Sequence, residues 1–347
     1  MKRNALIDVF RFVGAFLVVT IHIRFPGEIM RGVYYPLTRL ALPFFFMASG
    51  YFLADKDMER MKQRLTRQIR HIFFVLTGAM LAYFLFELAM TAIQNPAEVY
   101  ARVKALWEWG RWYRLVAIND TRRFYGPHLW YLSALLYTMV CARLALEYHR
   151  LEKIYWTGAL ALLAIPLLIW QNGQDVPLAL ARNFLTFGIP CVMAGAWIKI
   201  NAERILKWPR KLVIAMPIAF ALLTVGERWL FYWWLGISSI LLYVSALLLA
   251  ASLIVLSMHF PTLGEGKALS KWGANYSMMI YIAHMIPVTI WGAIAKAWGF
   301  YRSPWYQWTA PLVVFALSLG FAMAWESAKR RRKGKLKGQK KGRAEAE

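Results

Sequence analysis

The sequence predicts an all-α protein, a polytopic bundle of about ten transmembrane helices with both termini in the cytoplasm. Of its 347 residues, 59% are hydrophobic and 16% are aromatic. Only 17% are charged, whereas a soluble domain carries about a quarter. Apolar stretches close to the roughly 20 residues that cross the hydrocarbon recur from one end of the chain to the other.

Ten apolar segments are the predicted spans. They run near 5–24, 36–54, 72–92, 128–146, 154–170, 177–199, 211–226, 229–258, 273–298 and 306–326. The seventh is short and the eighth is long, so the helix boundaries within 205–260 stay open. The first segment follows Lys2 and Arg3 as a signal peptide would, but no small-residue cleavage site follows it, and we predict a retained span. Cys141 and Cys191 lie inside apolar segments, where neither a disulfide nor a metal site is expected.

The distribution of lysine and arginine predicts the orientation. The stretches 56–70 and 199–211 are rich in both residues, and in a ten-span arrangement they share a side with the two termini, which should be the cytoplasm. The long loop 93–127 is also cationic on the opposite side, but it contains acidic residues as well. The formal net charge is +24, and a third of it lies in 329–347. We predict that this tail is a disordered cytoplasmic anchor and not a nucleic-acid-binding segment, and that 1–328 form the transmembrane domain.

The first segment contains three polar side chains that a lipid-facing helix does not need. Arg11 and His22 are eleven residues apart, so helical geometry returns them to within about 20° of one face, about 16 Å apart along the axis. Asp8 is positioned at i,i+3 to pair with Arg11. Charged groups at bilayer depth face the bundle interior or a wet cavity. A structural Asp8–Arg11 pair at the cytoplasmic interface, with His22 at the outer headgroups, is the alternative.

Two further groups of polar or small residues within apolar segments have a simple structural explanation as well as a functional one. Ser49 and Gly50 interrupt the aromatic run "PFFFMASGYFLA", where small residues favour close packing of helices. His128 and Trp130 begin the span in "GPHLWYLSALLY", where an interfacial aromatic belt is expected.

The polar residues within the apolar stretch "YSMMIYIAHMIP" are harder to explain by helix packing. Ser277, Tyr281 and His284 follow i, i+4, i+7 spacing and therefore share one helix face. His284 falls near the middle of a predicted span, where an ionisable residue indicates a functional site.

Five stretches together resemble the acyltransferase 3 family of integral membrane proteins, in the order that the family has them. They are "IDVFRFVGAFLVVTIH", with arginine, ten residues, then histidine; "LPFFFMASGYFLA"; "RLTRQIRHI"; "HLWYLSALL"; and "YSMMIYIAHMIP". After the tenth segment we expect no appended SGNH-type hydrolase domain. We therefore expect the membrane part, or a separate protein, to complete any acyl transfer.

The resemblance implies an O-acyltransferase of the bacterial inner membrane. It would move an acyl group, usually acetyl, from cytoplasmic acyl-CoA to a hydroxyl of a cell-envelope glycan, with no bound cofactor or metal. His22 is then the expected general base or transient acyl carrier. Arg11 would polarise the thioester or hold a phosphate, and Asp8 would hold Arg11.

The remaining candidate residues are donor-binding or supporting. Arg67 and Arg70 suit the phosphates of CoA, although the positive-inside rule explains them equally well. Tyr281 and His284 would line the cavity or relay a proton, with Ser49, His128 and Trp130 as further supporting groups.

Two other functions stay open. The first segments also resemble the membrane half of the serine/alanine racemases of vancomycin resistance, which favours a transporter of a small amino-acid-like molecule. A scaffold subunit of an envelope-synthesis complex is the third hypothesis. The expected partners are membrane lipid, acyl-CoA and a carbohydrate acceptor, without nucleic acid. The sequence determines neither the acceptor nor the acyl group nor the oligomeric state.

Overall fold

The computed structural model describes residues 3–119, 121, 126–148, 183–237 and 242–344. Throughout these ranges the regular structure is helical. The predicted span near 154–170 and the first residues of the span near 177–199 lie outside them. In chain order the α-helices are α1 Ala5–His22, α2 Tyr35–Thr38, α3 Ala41–Leu53, α4 Met58–Gln94, α5 Val99–Lys104, α6 Trp109–Ile118, α7 Trp130–Glu147, α8 Ile189–Ile200, α9 Ala202–Ile205, α10 Arg210–Leu235, α11 Val244–His259, α12 Ala268–Ala283, α13 Met285–Ala297 and α14 Pro304–Ala344.

Short helical turns connect several of these helices. The segments Met30–Tyr34 and Phe184–Gly188 are π-helical, and the 3₁₀ turns are Pro96–Glu98, Ala105–Trp107 and Pro127–Leu129. The chain divides into two compact units, one made of residues 1–27 and 262–347 and the other of residues 28–261.

In the first unit, α1 packs along α12, and α14 packs against both. The side chain of Asn4 caps α1 by accepting a hydrogen bond from the backbone N–H of Ile7 at 3.1 Å, which satisfies one of the open donors of the first turn. Gly273 allows the close approach of α1 and α12, because a Cβ atom there would overlap the backbone carbonyl oxygen of Asp8.

The span predicted near 273–298 is broken at His284. Helices α12 and α13 meet there at an angle of 54°. Pro287 explains the break, because a proline has no N–H to donate to the carbonyl of Ala283 and its ring clashes with that carbonyl in a continuous helix. A titratable side chain therefore lies at the bend of a broken span.

In the second unit, α3 packs against α8 and α11, α4 packs against α7, and α10 packs against α11. The contact between α3 and α8 depends on two glycines. A Cβ on Gly50 would overlap the carbonyl of Val192, and a Cβ on Gly195 would overlap that of Met47. The packing role expected for Gly50 is therefore present.

The boundary left open within 205–260 lies between α10 and α11. Gly236 ends α10 in the left-handed conformation with φ of 65°, as a C-terminal glycine commonly does. The carboxylate of Glu227 then caps α11, accepting from the backbone N–H groups of Val244 and Ser245, each at 3.0 Å. Helix α10 is thus longer than the predicted seventh segment, 211–226, and α11 is shorter than the predicted eighth segment, 229–258.

Within the described residues, five helices are long and apolar enough to cross a membrane, and the bent pair α12–α13 makes a sixth. Ten spans remain a prediction. Only 22% of the apolar window of α4 and 17% of that of α10 are buried. Such extended exposed apolar faces are rare on soluble monomers and fit contact with lipid.

Two predicted loops are helical in the structure. The cationic stretch 56–70 forms the first turns of α4, because Asp57 caps that helix by accepting from the backbone N–H groups of Glu59 and Arg60. Residues 329–344, for which the sequence predicts a disordered tail, continue α14. The domain boundary at 328 stays a prediction.

Candidate functional site

Asp8 is the centre of an ion-pair cluster at the start of α1. Its side chain is 5% exposed, and its Oδ1 lies 3.2 Å from Nη1 of Arg11, which is the pair that the i,i+3 spacing predicts. Its Oδ2 lies 2.7 Å from Nε of Arg3. A buried carboxylate that contacts two guanidinium groups restricts the position of both arginines.

Arg3 connects this cluster to α12. Its Nη2 donates to the backbone carbonyl of Ser270 at 2.8 Å and to the hydroxyl of the same residue at 3.3 Å. Sequence reasoning placed Arg3 only among the positive charges that flank a first span. No local signal identifies it, because Ser270 is distant in the chain.

His22 and His284 lie side by side. Their ring centroids are 4.9 Å apart and their planes are inclined by 48°. His22 is exposed at the end of α1, whereas His284 is fully buried at the break between α12 and α13. The structure therefore brings together the two histidines that the first and last motifs contribute.

The environment of His284 determines its tautomer. Its Nδ1 lies 2.7 Å from the backbone carbonyl oxygen of Tyr281. A carbonyl can only accept, so Nδ1 carries the proton, and the lone pair of the neutral ring is on Nε2. Tyr281 and Ser277 are buried nearby on the same helix, as their spacing predicts.

Three other candidates lie in the second unit. Ser49 is half-buried, and its hydroxyl donates to the carbonyl of Phe45 at 2.8 Å. His128 is buried, with its ring 4.8 Å from that of Tyr83. Trp130 is also buried, 5.7 Å from the ring of Phe187. These aromatic and imidazole rings are packed inside the protein and are not exposed as an interfacial belt would be.

The cations of the stretch 56–70 divide into two groups. Four of them have an acidic partner: Lys56 with Glu203, Arg60 with Asp57, Lys62 with Glu59, and Arg64 with Asp55. Arg67 and Arg70 have no ion-pair partner in the described part of the chain, and both are exposed. They are three residues apart on α4 and thus neighbours on its surface.

Two of the paired acids, Asp55 and Glu203, lie outside the membrane helices and are held in their charged form. The backbone N–H of Asp57, with Arg64 and Arg60, lowers the pKa of Asp55 below its ordinary value. Lys56 lowers the pKa of Glu203 in the same way, by a hydrogen bond and by its charge. At neutral pH these two carboxylates therefore neutralise Arg64 and Lys56, whereas Arg67 and Arg70 have no acidic partner among the described residues.

A groove of about 710 Å³ lies between α4 and α7. Its described lining is Glu59, Lys62, Gln63, Thr66, Arg67, Arg143 and Glu147. The volume is within the range of small-ligand sites. Arg67 thus lines the groove, whereas Arg70 is not among the described residues of the groove lining. The contribution of α7 to this groove was not expected from the sequence.

Helices that expose apolar faces, with charged and imidazole groups held at specific places inside them, define a multi-pass membrane protein. Residues 4–325 of the chain match the family described as an acyltransferase domain. The chain belongs to this family, the acyltransferase 3 family that the five motifs resemble, and it is a membrane acyltransferase. No curated protein and no solved structure matches the chain significantly.

Proposed function

We propose that the chain is an O-acyltransferase of the bacterial inner membrane, which takes an acyl group, by default acetyl, from cytoplasmic acyl-CoA. The acceptor is a hydroxyl of a cell-envelope glycan. The observation that carries the proposal is the pair of imidazoles, His22 exposed and His284 buried, 4.9 Å apart. Acyl transfer to a hydroxyl requires a base that titrates near neutral pH, and imidazole is the side chain that does so.

His22 acts as the general base. It removes the proton from the acceptor hydroxyl while that oxygen attacks the thioester carbonyl, and the C–S bond then breaks. The proton passes from the imidazolium to the departing thiolate, so the base is regenerated. A transient acyl-imidazole on His22 is the second route to the same products.

His284 and Tyr281 support this base. Because Nδ1 of His284 donates to the Tyr281 carbonyl, the Nε2 lone pair of the neutral ring can accept a proton or a hydrogen bond. A buried ring in a fixed tautomer orients its neighbour in the way that a third group orients the base of a catalytic triad. Ser49, His128 and Trp130 are supporting residues in the proposal, without an assigned step.

Arg11 stabilises negative charge on the donor. Asp8 Oδ1 contacts Nη1 of Arg11 at 3.2 Å, and a guanidinium, with five N–H donors in a planar fork, suits a carbonyl oxygen or a phosphate. The side chain is 29% exposed, so it is accessible to a ligand. Arg3 assists indirectly, because it contacts the other oxygen of Asp8.

Arg67 and Arg70 bind the phosphates of CoA. They differ from the four neighbouring cations in having no acidic partner among the described residues, which favours a ligand-binding role over one in topology alone. Arg67 also lines the groove between α4 and α7. Guanidinium groups bind phosphate through paired hydrogen bonds, so both residues suit an anionic donor.

The test is acyl-CoA turnover by the purified full chain in nanodiscs, with free CoA thiol as the readout and an envelope polysaccharide extract as the acceptor. His22→Ala should abolish thiol release. His259→Gln is the control, because Nε2 of His259 contacts the backbone carbonyl of Ile205 at 3.1 Å and glutamine keeps a donor there. Mass spectrometry of the polysaccharide then identifies the acyl group and the acceptor. Uptake of serine or alanine into proteoliposomes without thiol release would instead favour a transporter.

A further inference from the structure

The groove between α4 and α7 contains an acid that engages two of its cations. Glu147 is at the end of α7, and its Oε2 lies 2.5 Å from Nη1 of Arg143. The same oxygen lies 3.7 Å from Nζ of Lys62 on α4. One carboxylate oxygen thus joins the two helices that form the groove.

The described part of the groove lining carries a small net positive charge. Its described lining has three cations, Lys62, Arg67 and Arg143, and two acids, Glu59 and Glu147. Lys62 also contacts Glu59, at 3.0 Å. Arg67 is thus the groove cation that these acids leave for a ligand, while Lys62 and Arg143 are directed towards Glu147.

The ion pairs of Glu147 can be exchanged at little cost. The side chain of Glu147 is 53% exposed, so its carboxylate can turn towards water without desolvation, and surface pairs of this kind contribute little to stability. Lys62 and Arg143 are 18% and 32% exposed. They are held close to the groove, and they suit a phosphate better than a single carboxylate because a phosphate has more charge and more acceptor oxygens.

We propose that Lys62 and Arg143 are phosphate-binding residues of this groove, and that Glu147 is an internal anion which a polyphosphate ligand displaces. The inference rests on the proposed donor site and extends it to α7. It assigns Glu147 a role in specificity, since a ligand with one negative charge gains little by replacing a carboxylate already present. A bisphosphate or pyrophosphate engages Arg67 and the two released cations together.

The experiment is titration calorimetry on the full chain in nanodiscs of uncharged lipid, with adenosine 3′,5′-bisphosphate and with inorganic pyrophosphate. Glu147→Gln should tighten binding of both probes by about two- to fivefold, because the internal competitor is removed. Arg143→Gln should weaken binding by about tenfold. Glu203→Gln is the matched control. It removes the same charge from an acid that pairs with Lys56 at 2.6 Å, outside the groove lining, and should leave affinity unchanged.

Three results would overturn the inference: no binding of either probe by the parent chain, unchanged or weaker binding by Glu147→Gln, or equal effects of Glu147→Gln and Glu203→Gln. The thiol-release assay keeps these results distinct from failure of the proposed function. If turnover depends on His22 but Glu147→Gln does not change probe affinity, the function stands and the displacement by phosphate is wrong. If the probes bind with the expected pattern and no thiol is released from acyl-CoA, the phosphate site stands and the acyltransferase donor assignment is wrong.

Discussion

The imidazole rings of His22 and His284 lie 4.9 Å apart, although one belongs to the first helix and the other to the break between α12 and α13. This contact joins an exposed imidazole to a buried ring whose Nδ1 donates to a backbone carbonyl. A structural role and a catalytic role for His284 have different consequences, and the kinetics of substitution can separate them.

His22→Ala should lower kcat by at least about 100-fold, since a positioned general base contributes that much or more. His284→Asn should lower kcat by about tenfold with little change in the KM for acyl-CoA, and it should move the acidic limb of the pH–rate profile. Asparagine retains a side-chain donor for the Tyr281 carbonyl, which preserves the bend. If the folded variant has an unchanged pH–rate profile, His284 has only a packing role and no role in catalysis.

Asp8→Asn should impair both stability and turnover. It replaces a carboxylate that contacts Arg3 and Arg11 with a neutral amide, which leaves two cations without their partner. We expect a loss of about 1–3 kcal/mol, less than for a fully buried pair because both arginines reach solvent. Thermal unfolding in detergent measures the stability. Arg3→Gln should show a smaller loss, because Arg11 keeps its contact with Asp8, and equal losses would contradict the central position of Asp8 in the cluster.

Gly273→Ala should separate α1 from α12. The added methyl overlaps the carbonyl oxygen of Asp8, and overpacking of this kind costs about 1–3 kcal/mol. Turnover should fall with it, since the same helices position Asp8 and His22. The matched control is Gly226→Ala in α10, where a Cβ meets nothing within 4 Å. That variant should be neutral or slightly stabilised, by about 0.5–1 kcal/mol, because alanine is the better helix former.

The double variant Arg67→Gln, Arg70→Gln should raise the KM for acyl-CoA by about tenfold, because charge-assisted contacts to phosphate are lost. The dependence of KM on ionic strength should also become shallower. Arg60→Gln is the control, since Arg60 already pairs with Asp57 at 3.0 Å and is 70% exposed. If the double variant and the control have the same KM at low salt, Arg67 and Arg70 serve only the orientation of the helix.

Residue type and spacing are sufficient to predict the helical membrane class and several local relationships. Apolar length indicates which segments prefer hydrocarbon to water, and this preference depends on composition more than on the neighbours in the fold. The Asp8–Arg11 pair follows from i,i+3 geometry within one helix. The shared face of Ser277, Tyr281 and His284 follows from the same periodicity. These predictions concern atoms separated by one or two turns, whose distance is a property of the α-helix itself.

The relationships that give the candidate site its chemistry depend on helix packing. Nothing local indicates that His284 lies beside His22, that Arg3 reaches Ser270, or that Glu147 faces Lys62. Each contact joins residues far apart in the chain, and its distance depends on how closely two helices approach. Steric detail determines that approach, such as the missing Cβ of Gly273 against the Asp8 carbonyl. In the same way, the acids that neutralise four cations of the stretch 56–70, and so distinguish Arg67 and Arg70, are identified only once the chain is folded.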